Sequence, residues 1–254
     1  MIRVTFSDNV LNVQMPRGWH ELSSTELRLV YQYMSVYDSE VAPTAIFCRL
    51  ANAKIIREME DNSFLLSFAI TPKVNVQTIV TARQMSYYLN HLSWLMQPGD
   101  IPVRLPKLGN QKAVDAKMHG VSFGDYLRLE TLYQAYLQTE APEVLLRMAN
   151  ILYRGKYELK ALDEVSQLNV FNWVAQLKGM FAKEFKHFFK ASDGSVDSPE
   201  MTDIMNAQIR ALTGGDVTRE EQILAIDCWR ALTELDAKAR EAEELNKELK
   251  KSKK

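Results

Sequence analysis

This chain of 254 residues has little cysteine, almost no net charge and no long apolar run. Its two cysteines, Cys48 and Cys228, are too few for a disulfide framework, so we expect inert buried thiols, with a bridge between them as the less favoured alternative. The formal net charge of −1 gives no global field that would attract nucleic acid or an anionic membrane. No apolar stretch reaches the length of a membrane span, and no secretory signal opens the chain. These absences predict a cytoplasmic protein.

The common catalytic motifs are also missing from the sequence. It contains no Gly-rich phosphate loop, nucleophile elbow or Walker lysine motif. Its four histidines are scattered, and no Cys–His pairing suggests a nucleophile or a zinc site. A carboxylate-based site leaves little trace in a sequence, so missing motifs are not proof. We nevertheless expect a protein without enzymatic activity, cofactor or metal.

The clearest structural pattern is a helix hairpin in residues 122–155. Ser122 and Asp125 form a capping pair at the start of a helix. The apolar face of that helix recurs at three- and four-residue steps and consists of Tyr126, Leu129, Tyr133 and Leu137. Pro142 suits the first turn of a second helix, which Gly155 ends. The apolar stripe of the second helix consists of Leu145, Met148 and Leu152.

The N-terminal part of the chain predicts strands before helices. Residues 2–14 alternate around a polar break, as in a strand–turn–strand unit that needs a surface to lie on. Ser23 and Glu26 form a capping box that begins the first helix. The second helix is predicted to begin at Pro43 and to include Ile55.

The middle of the chain is predicted to contain one strand, one long helix and one long loop. Residues 64–70 form the strand, since they are apolar and bounded by turn residues. Residues 75–97 form the helix. Residues 98–121 have prolines, glycines and little periodicity, and a connection of this length is often functional or disordered.

The C-terminal third predicts three further helices and a linker. A helix covers residues 162–190, with a break near Asn169. Residues 191–198 are small and polar, as in a flexible linker. A short helix follows from Glu200 to Leu212, and Thr218 with Glu221 forms a capping box for the last helix.

These patterns predict a mainly α-helical fold with a bundle-like body, a small N-terminal β element and a helical C-terminal arm. The body is assigned to residues 1–190, the linker to residues 191–198, and the arm with its charged tail to residues 199–254. No internal repeat is present in the sequence.

Two acidic patterns resemble metal sites, and we favour a simpler interpretation for both. Glu184 and His187 have the spacing of half a di-iron site, but the second half is missing, so we expect partly solvated surface residues. Asp193 and Asp197 alternate like calcium ligands, but the acidic residue at position twelve of such a loop is absent, so a linker is favoured.

The helix before the linker interleaves cations with aromatic rings. Single-stranded nucleic acid needs both, the cations for phosphates and the rings for base stacking. The favoured alternative is an amphipathic helix with a phenylalanine core face and a lysine solvent face. The residues concerned are Lys178, Lys183, Lys186, His187 and Lys190 with Phe181, Phe185, Phe188 and Phe189.

The arm provides the predicted partner-binding residues, which are Trp229, Leu235, Leu245 and Leu249. An apolar stretch at residues 223–235 has to dock on the body or on another chain, because leaving it in water costs free energy. Residues 237–254 are charged on nearly all faces, and their apolar spacing is too short and weak for a coiled coil. The tail is either a solvated helix or a helix that completes itself on a partner, self-association included.

Four segments carry a resemblance to a known family. They are MPRGWHELSSTEL at residues 15–27, LNHLSWL at 89–95, VSFGDYLRLETLYQAYL at 121–137 and LLRMANILYR at 145–154. Their order is similar to an uncharacterised family encoded among the tail and structural genes of phages and prophages. The hairpin and the entry to the first helix also resemble phage tail assembly chaperones, which hold the tape-measure protein soluble while tail-tube subunits are added. The resemblance covers residues 2–35 and 89–154.

The resemblance implies a non-enzymatic assembly factor that works in the cytoplasm of the host cell. Its partner would be a phage structural or tail protein. Two alternatives are a structural component of the virion, such as a connector or internal protein, and a nucleic-acid-binding adaptor. The chain is longer than typical tail chaperones, and its C-terminal third has no counterpart in them. The resemblance assigns no catalytic residue.

Overall fold

The computed structural model describes residues 2–6, 9–190 and 201–252. Within them the protein is mainly α-helical, as predicted, with nine α-helices and three small antiparallel sheets. The chain forms two compact units, Met1–Gly99 and Asp100–Lys254. This boundary differs from the predicted body and arm, because the apolar stripe of the last helix belongs to the core of the second unit. The predicted linker, residues 191–198, lies outside the described residues.

The first unit contains three helices and two of the sheets. Its elements are β1 (Ile2–Phe6), β2 (Asn9–Val13), α1 (Ser24–Val36), α2 (Ala42–Leu50), β3 (Ala53–Glu58), β4 (Phe64–Thr71), β5 (Val74–Val80) and α3 (Ala82–Asn90). The predicted hairpin is confirmed as β1–β2, with Val4 opposite Leu11. Val4 is buried, and β1 contacts β5, so the hairpin has the surface that it needs.

The three-stranded sheet β3–β4–β5 corrects two sequence predictions. Strand β4 matches the predicted strand, but Val74–Val80 pairs with it as β5 and is not the start of a long helix. The β-branched residues of this segment alternate, which suits a pleated surface. Ile55 pairs with Leu66 in β3 instead of extending α2, which ends at Leu50.

Local capping signals set where two helices of this unit begin. Ser23 and Glu26 form the predicted capping box of α1. Thr81 and Gln84 form a second one, in which the Gln84 N–H donates to the Thr81 hydroxyl at 3.3 Å, and this box starts α3. The predicted helix over residues 75–97 is therefore wrong, because a strand and a cap occupy its first third.

Two tryptophans from the resembling segments meet in this unit. The Trp19 and Trp94 rings make an edge-to-face contact at 5.1 Å. The Trp19 indole donates to the Gln97 carbonyl at 2.8 Å, and the Trp94 indole donates to the Pro16 carbonyl at 3.1 Å. These reciprocal bonds tie the entry of α1 to the end of the unit.

The second unit contains six helices and one two-stranded hairpin. Its elements are β6 (Lys107–Leu108), β7 (Gln111–Lys112), α4 (Phe123–Thr139), α5 (Pro142–Leu152), α6 (Glu164–Glu184), α7 (Met201–Thr213), α8 (Glu220–Ala225) and α9 (Cys228–Ser252). The predicted helix hairpin is confirmed as α4–α5, and the Ser122 hydroxyl accepts from the Asp125 N–H at 3.1 Å. Tyr133 and Leu152 are both buried, whereas Leu137 is half exposed.

Helix α6 runs unbroken through Asn169, so the predicted break is wrong. Asn169 is buried and its side-chain carbonyl accepts from the Leu105 N–H at 2.8 Å. Seven residues later, the Gln176 side chain accepts from the Val103 N–H at 2.7 Å. These two amides hold the extended segment 98–121 against α6.

The same segment is fixed further along by two indole donors. The Trp173 indole donates to the Ala116 carbonyl at 2.7 Å, and the Trp229 indole donates to the Lys117 carbonyl at 2.6 Å. Segment 98–121 is thus neither free nor disordered. Several of its backbone groups bond to side chains, which is how a non-helical segment keeps its less exposed polar groups paired.

The last helix begins differently from its prediction. Asp216, not Thr218, is the capping residue, and it accepts from the Thr218 N–H at 3.0 Å at the start of a short 3₁₀ turn. Helix α8 then ends at Ala225. The helix is interrupted before α9 because the Ile226 carbonyl accepts from the Phe123 N–H. The Cys228 N–H likewise donates to the Val121 carbonyl instead of continuing the helix.

Candidate functional site

The four predicted partner-binding residues lie in two different settings on α9. Trp229 is half-buried and contacts the edges of the Phe181 and Phe185 rings at 5.6 and 5.4 Å. Leu235 is 4% exposed and belongs to the same core. These two residues therefore dock α9 on its own unit.

Leu245 and Leu249 form an exposed apolar pair near the end of α9. They are 58% and 49% exposed and lie one turn apart on the same face of the helix. The other described side chains after Glu243 are exposed as well. Of the four predicted partner-binding residues, Leu245 and Leu249 are therefore the two that lie on the surface.

The charged part of α9 is attached to the unit as far as Glu243. Its carboxylate accepts from the Lys190 ammonium at 2.8 Å and lies 3.4 Å from the His187 ring. The hydrogen bond from Lys190 is the main cause that lowers the pKa of Glu243. Two turns earlier, Asp236 accepts from the N–H groups of His187 and Phe188 at 2.8 and 3.0 Å. The two carboxylates hold the chain that follows α6 against α9.

An open groove of about 860 Å³ lies beside this contact. Its walls come from four helices, α4, α6, α7 and α9, together with the turn after α6. Most of the exposed wall is apolar, and it comes from Tyr126, Phe188, Phe189, Ile204, Ala207 and Leu235. The polar side chains that also line the groove are Glu130, Gln134, Lys178, Asp203, Gln208 and Lys238. A mainly apolar concavity with polar groups at fixed positions is the usual form of a binding site.

One ion pair stands in the wall of the groove. The Lys178 ammonium of α6 donates to the Glu130 carboxylate of α4, and their side chains are only 32% and 17% exposed. Lys178 also lies 5.3 Å from the centre of the Tyr133 ring. Burial, and then the charge of Glu130, raise the pKa of Tyr133. A partly buried ion pair of this kind is costly to break, so it places two charges at fixed positions in a mainly apolar surface.

A second polar group in the groove wall is the side-chain oxygen of Gln208 on α7. It is buried and has no hydrogen-bond partner among the described residues. A buried acceptor without a partner costs free energy, so a donor brought by a ligand would gain from meeting it. The sequence did not predict either feature, because Glu130 and Lys178 are 48 residues apart and a single half-buried glutamine in a helix carries no signal.

Three lysines of the predicted nucleic-acid helix pair with carboxylates of the unit, whereas Lys186 is exposed. Lys183 is paired with Asp100, just as Lys178 is with Glu130 and Lys190 with Glu243. Phe181 and Phe185 are buried, whereas Phe188 and Phe189 are half-buried and line the groove. Helix α6 ends at Glu184, earlier than predicted, so the last two rings lie on a turn.

The candidate metal sites find no support in the described part of the chain. No group of three His, Cys, Asp or Glu side chains there could hold a metal ion. Glu184 is exposed, and His187 contacts Glu243 instead. Asp193 and Asp197 lie outside the described residues.

Both cysteines are free, and burial raises the pKa of each thiol. The pKa of Cys228 rises to about 12, mainly through burial and then through the neighbouring charge of Asp227. Its thiol donates to the Met118 carbonyl at 3.3 Å. Cys228 is therefore an inert core residue, as predicted, while Cys48 is only half-buried.

Comparison with protein-family models, with curated proteins and with solved structures gave no match to this chain. Among the described residues, no helix is both long enough and apolar enough to cross a membrane.

Proposed function

We propose that this protein is a phage assembly factor of the tail assembly chaperone kind, which binds another phage protein while the virion is built. The observation that carries the proposal is the open apolar groove between α4, α6, α7 and α9. The order of the four resembling segments names the class of partner, a phage structural or tail protein. The role requires binding and no chemical step.

The shape of the groove suits an amphipathic helix. In this mode of recognition a helix lays three or four apolar side chains into an apolar groove. The paired charges of Glu130 and Lys178 give that helix a defined register. Polar groups at fixed positions contribute specificity more than affinity.

The exposed pair Leu245 and Leu249 offers a second, smaller contact on the same unit. It follows the part of α9 that Glu243 attaches to the turn after α6. A partner that engages both surfaces would bind more tightly than either surface allows alone, because the second contact becomes intramolecular.

Co-expression tests the proposal. The chain is produced together with the tape-measure protein encoded in its gene neighbourhood, and the soluble fraction of that protein is measured. We expect the soluble fraction to rise, and Ala239→Arg, which places a bulky cation in the groove from α9, to abolish the rise. The matched control is Ala182→Arg, an exposed position on α6 that does not line the groove.

A second substitution tests the end of α9. Leu245→Asp with Leu249→Asp should reduce the effect partly, since the groove remains intact. The proposal fails if the soluble fraction does not change with the wild-type chain. Stoichiometric amounts of the chain in purified virions would instead favour the structural alternative.

A further inference from the structure

Helix α7 is more loosely packed than α4, α5 and α6. Among its residues 202–213, only Thr213 is buried, and its apolar residues are half-buried or exposed. By contrast, ten residues of α6 are buried. Helix α7 contacts α8 and α9, and its inner apolar residues Met205, Ile209 and Leu212 touch the core from outside.

Cavities flank α7 along its length. The large groove of about 860 Å³ lies on the side of Ile204, Ala207 and Gln208. A second cavity of about 600 Å³ lies between Met205 and the helices α4 and α5, and a third of about 290 Å³ lies under Ile209. These spaces are open to solvent, so α7 lies on the surface of the unit and is not packed into its close-packed interior.

Polar links between α7 and its neighbours are few. Among the described residues, one side-chain hydrogen bond joins α7 to another helix, from the Thr131 hydroxyl to the Met205 sulfur at 3.1 Å. The same hydroxyl also points at the Leu127 carbonyl at 3.0 Å, so the bond to the sulfur is shared. Nothing in this contact fixes α7 in place.

Two glycines with positive φ directly follow α7. Gly214 and Gly215 have φ values of +66° and +87°, and there is open space where a side chain would stand on either residue. The Gly215 N–H donates to the Arg210 carbonyl at 3.2 Å, the bond of a Schellman cap, so α7 ends by a local signal of its own. Two adjacent glycines allow a change of backbone direction without steric cost.

We infer that α7 is a displaceable helix, which covers in cis a surface of α4 and α9 that receives an amphipathic helix of the partner. The helix seated there defines the chemistry of that partner helix: apolar residues at the positions of Met205, Ile209 and Leu212, one turn apart, and a polar outer face. In the free protein α7 covers the apolar surface, and the partner replaces it. The identity of the partner rests on the proposed function, whereas the displacement of α7 does not.

A competition experiment tests the displacement without any phage protein. The probe is a fluorescent peptide with the sequence of residues 201–213, and its binding to the full chain is followed by anisotropy. A tethered helix competes with an effective concentration on the order of millimolar, so the wild-type chain should bind the peptide weakly. The variant Met205→Ser with Ile209→Ser weakens the tethered helix and leaves the receiving surface intact. We expect it to bind the peptide at least tenfold more tightly.

The matched control is Asn206→Ser with Arg210→Ser, on the exposed face of α7, and this variant should bind the peptide as weakly as the wild type does.

Hydrogen exchange on the wild-type chain provides a readout that needs no variant: the amides of α7 should exchange at least tenfold faster than those of α4 and α6. Equal protection of α7 and α6, or equally weak peptide binding by all three proteins, would overturn the inference. Either result leaves the co-expression experiment free to succeed or fail independently.

Discussion

The side-chain nitrogen of Asn169 donates a hydrogen bond to the Tyr153 hydroxyl at 2.8 Å in the interior of the second unit. The Tyr153 hydroxyl donates in turn to the Leu105 carbonyl at 3.0 Å, and the Leu105 N–H donates back to Asn169. Three buried polar groups thus satisfy one another in a closed ring. The ring joins Tyr153, which follows the last residue of α5, to α6 and to Leu105 of segment 98–121.

The first prediction concerns this ring. Asn169→Ala leaves the Leu105 N–H buried without an acceptor, which should destabilise the protein by about 1–3 kcal/mol. Urea unfolding measures the change. Asn246→Ala, on an exposed face of α9, is the control and should change stability by less than about 0.5 kcal/mol. Equal effects of the two substitutions would mean that the ring contributes nothing to stability.

The second prediction concerns the α4–α5 hairpin. Leu152 is fully buried, so Leu152→Ala should cost roughly 2–5 kcal/mol, the range for a cavity left by a leucine. Leu137→Ala removes the same atoms from a side chain that is 50% exposed, and it should cost far less. Chemical melts of both variants provide the comparison. A loss below about 0.5 kcal/mol for Leu152→Ala would contradict the packing described for this hairpin.

The third prediction concerns the pH dependence of Glu243. The folded state holds its pKa below the usual 4.5, chiefly through the hydrogen bond from Lys190, so its carboxylate stabilises the fold above pH 4.5. This contribution is lost as the pH falls through the lowered pKa. Glu243→Gln should therefore be less stable than wild type at neutral pH, and the difference should vanish in strong acid. Glu244→Gln, exposed and adjacent, should show no such dependence. A difference that persists in acid would assign the effect to packing instead.

The fourth prediction concerns nucleic acid. A phosphate backbone would need the cations of Lys178, Lys183 and Lys190, and these three lysines already form ion pairs with carboxylates of the protein. We expect no binding of labelled single-stranded DNA at physiological salt, measured by anisotropy. Retention that falls steeply with salt, and that Lys183→Glu with Lys186→Glu abolishes, would support the adaptor alternative over an assembly factor.

Local signals in the sequence determined most of the helix boundaries. The capping residues Ser23 and Ser122 and the first-turn Pro142 act through their own backbone and that of the next turn. Signals of this range are readable without the fold. For the same reason β4 was found, since its apolar run and its flanking turns lie within one short segment.

Only the tertiary structure decided the roles of residues whose partners are far away in the chain. Val74–Val80 became a strand because β4 was there to pair with it, and Asn169 stayed helical because Leu105 and Tyr153 satisfied its amide. The sequence predicts that Trp229 binds a partner, yet its indole donates to the backbone carbonyl of Lys117, 112 residues earlier. The groove has the same origin: its walls come from helices spread over more than a hundred residues, and no local pattern records which helix faces meet.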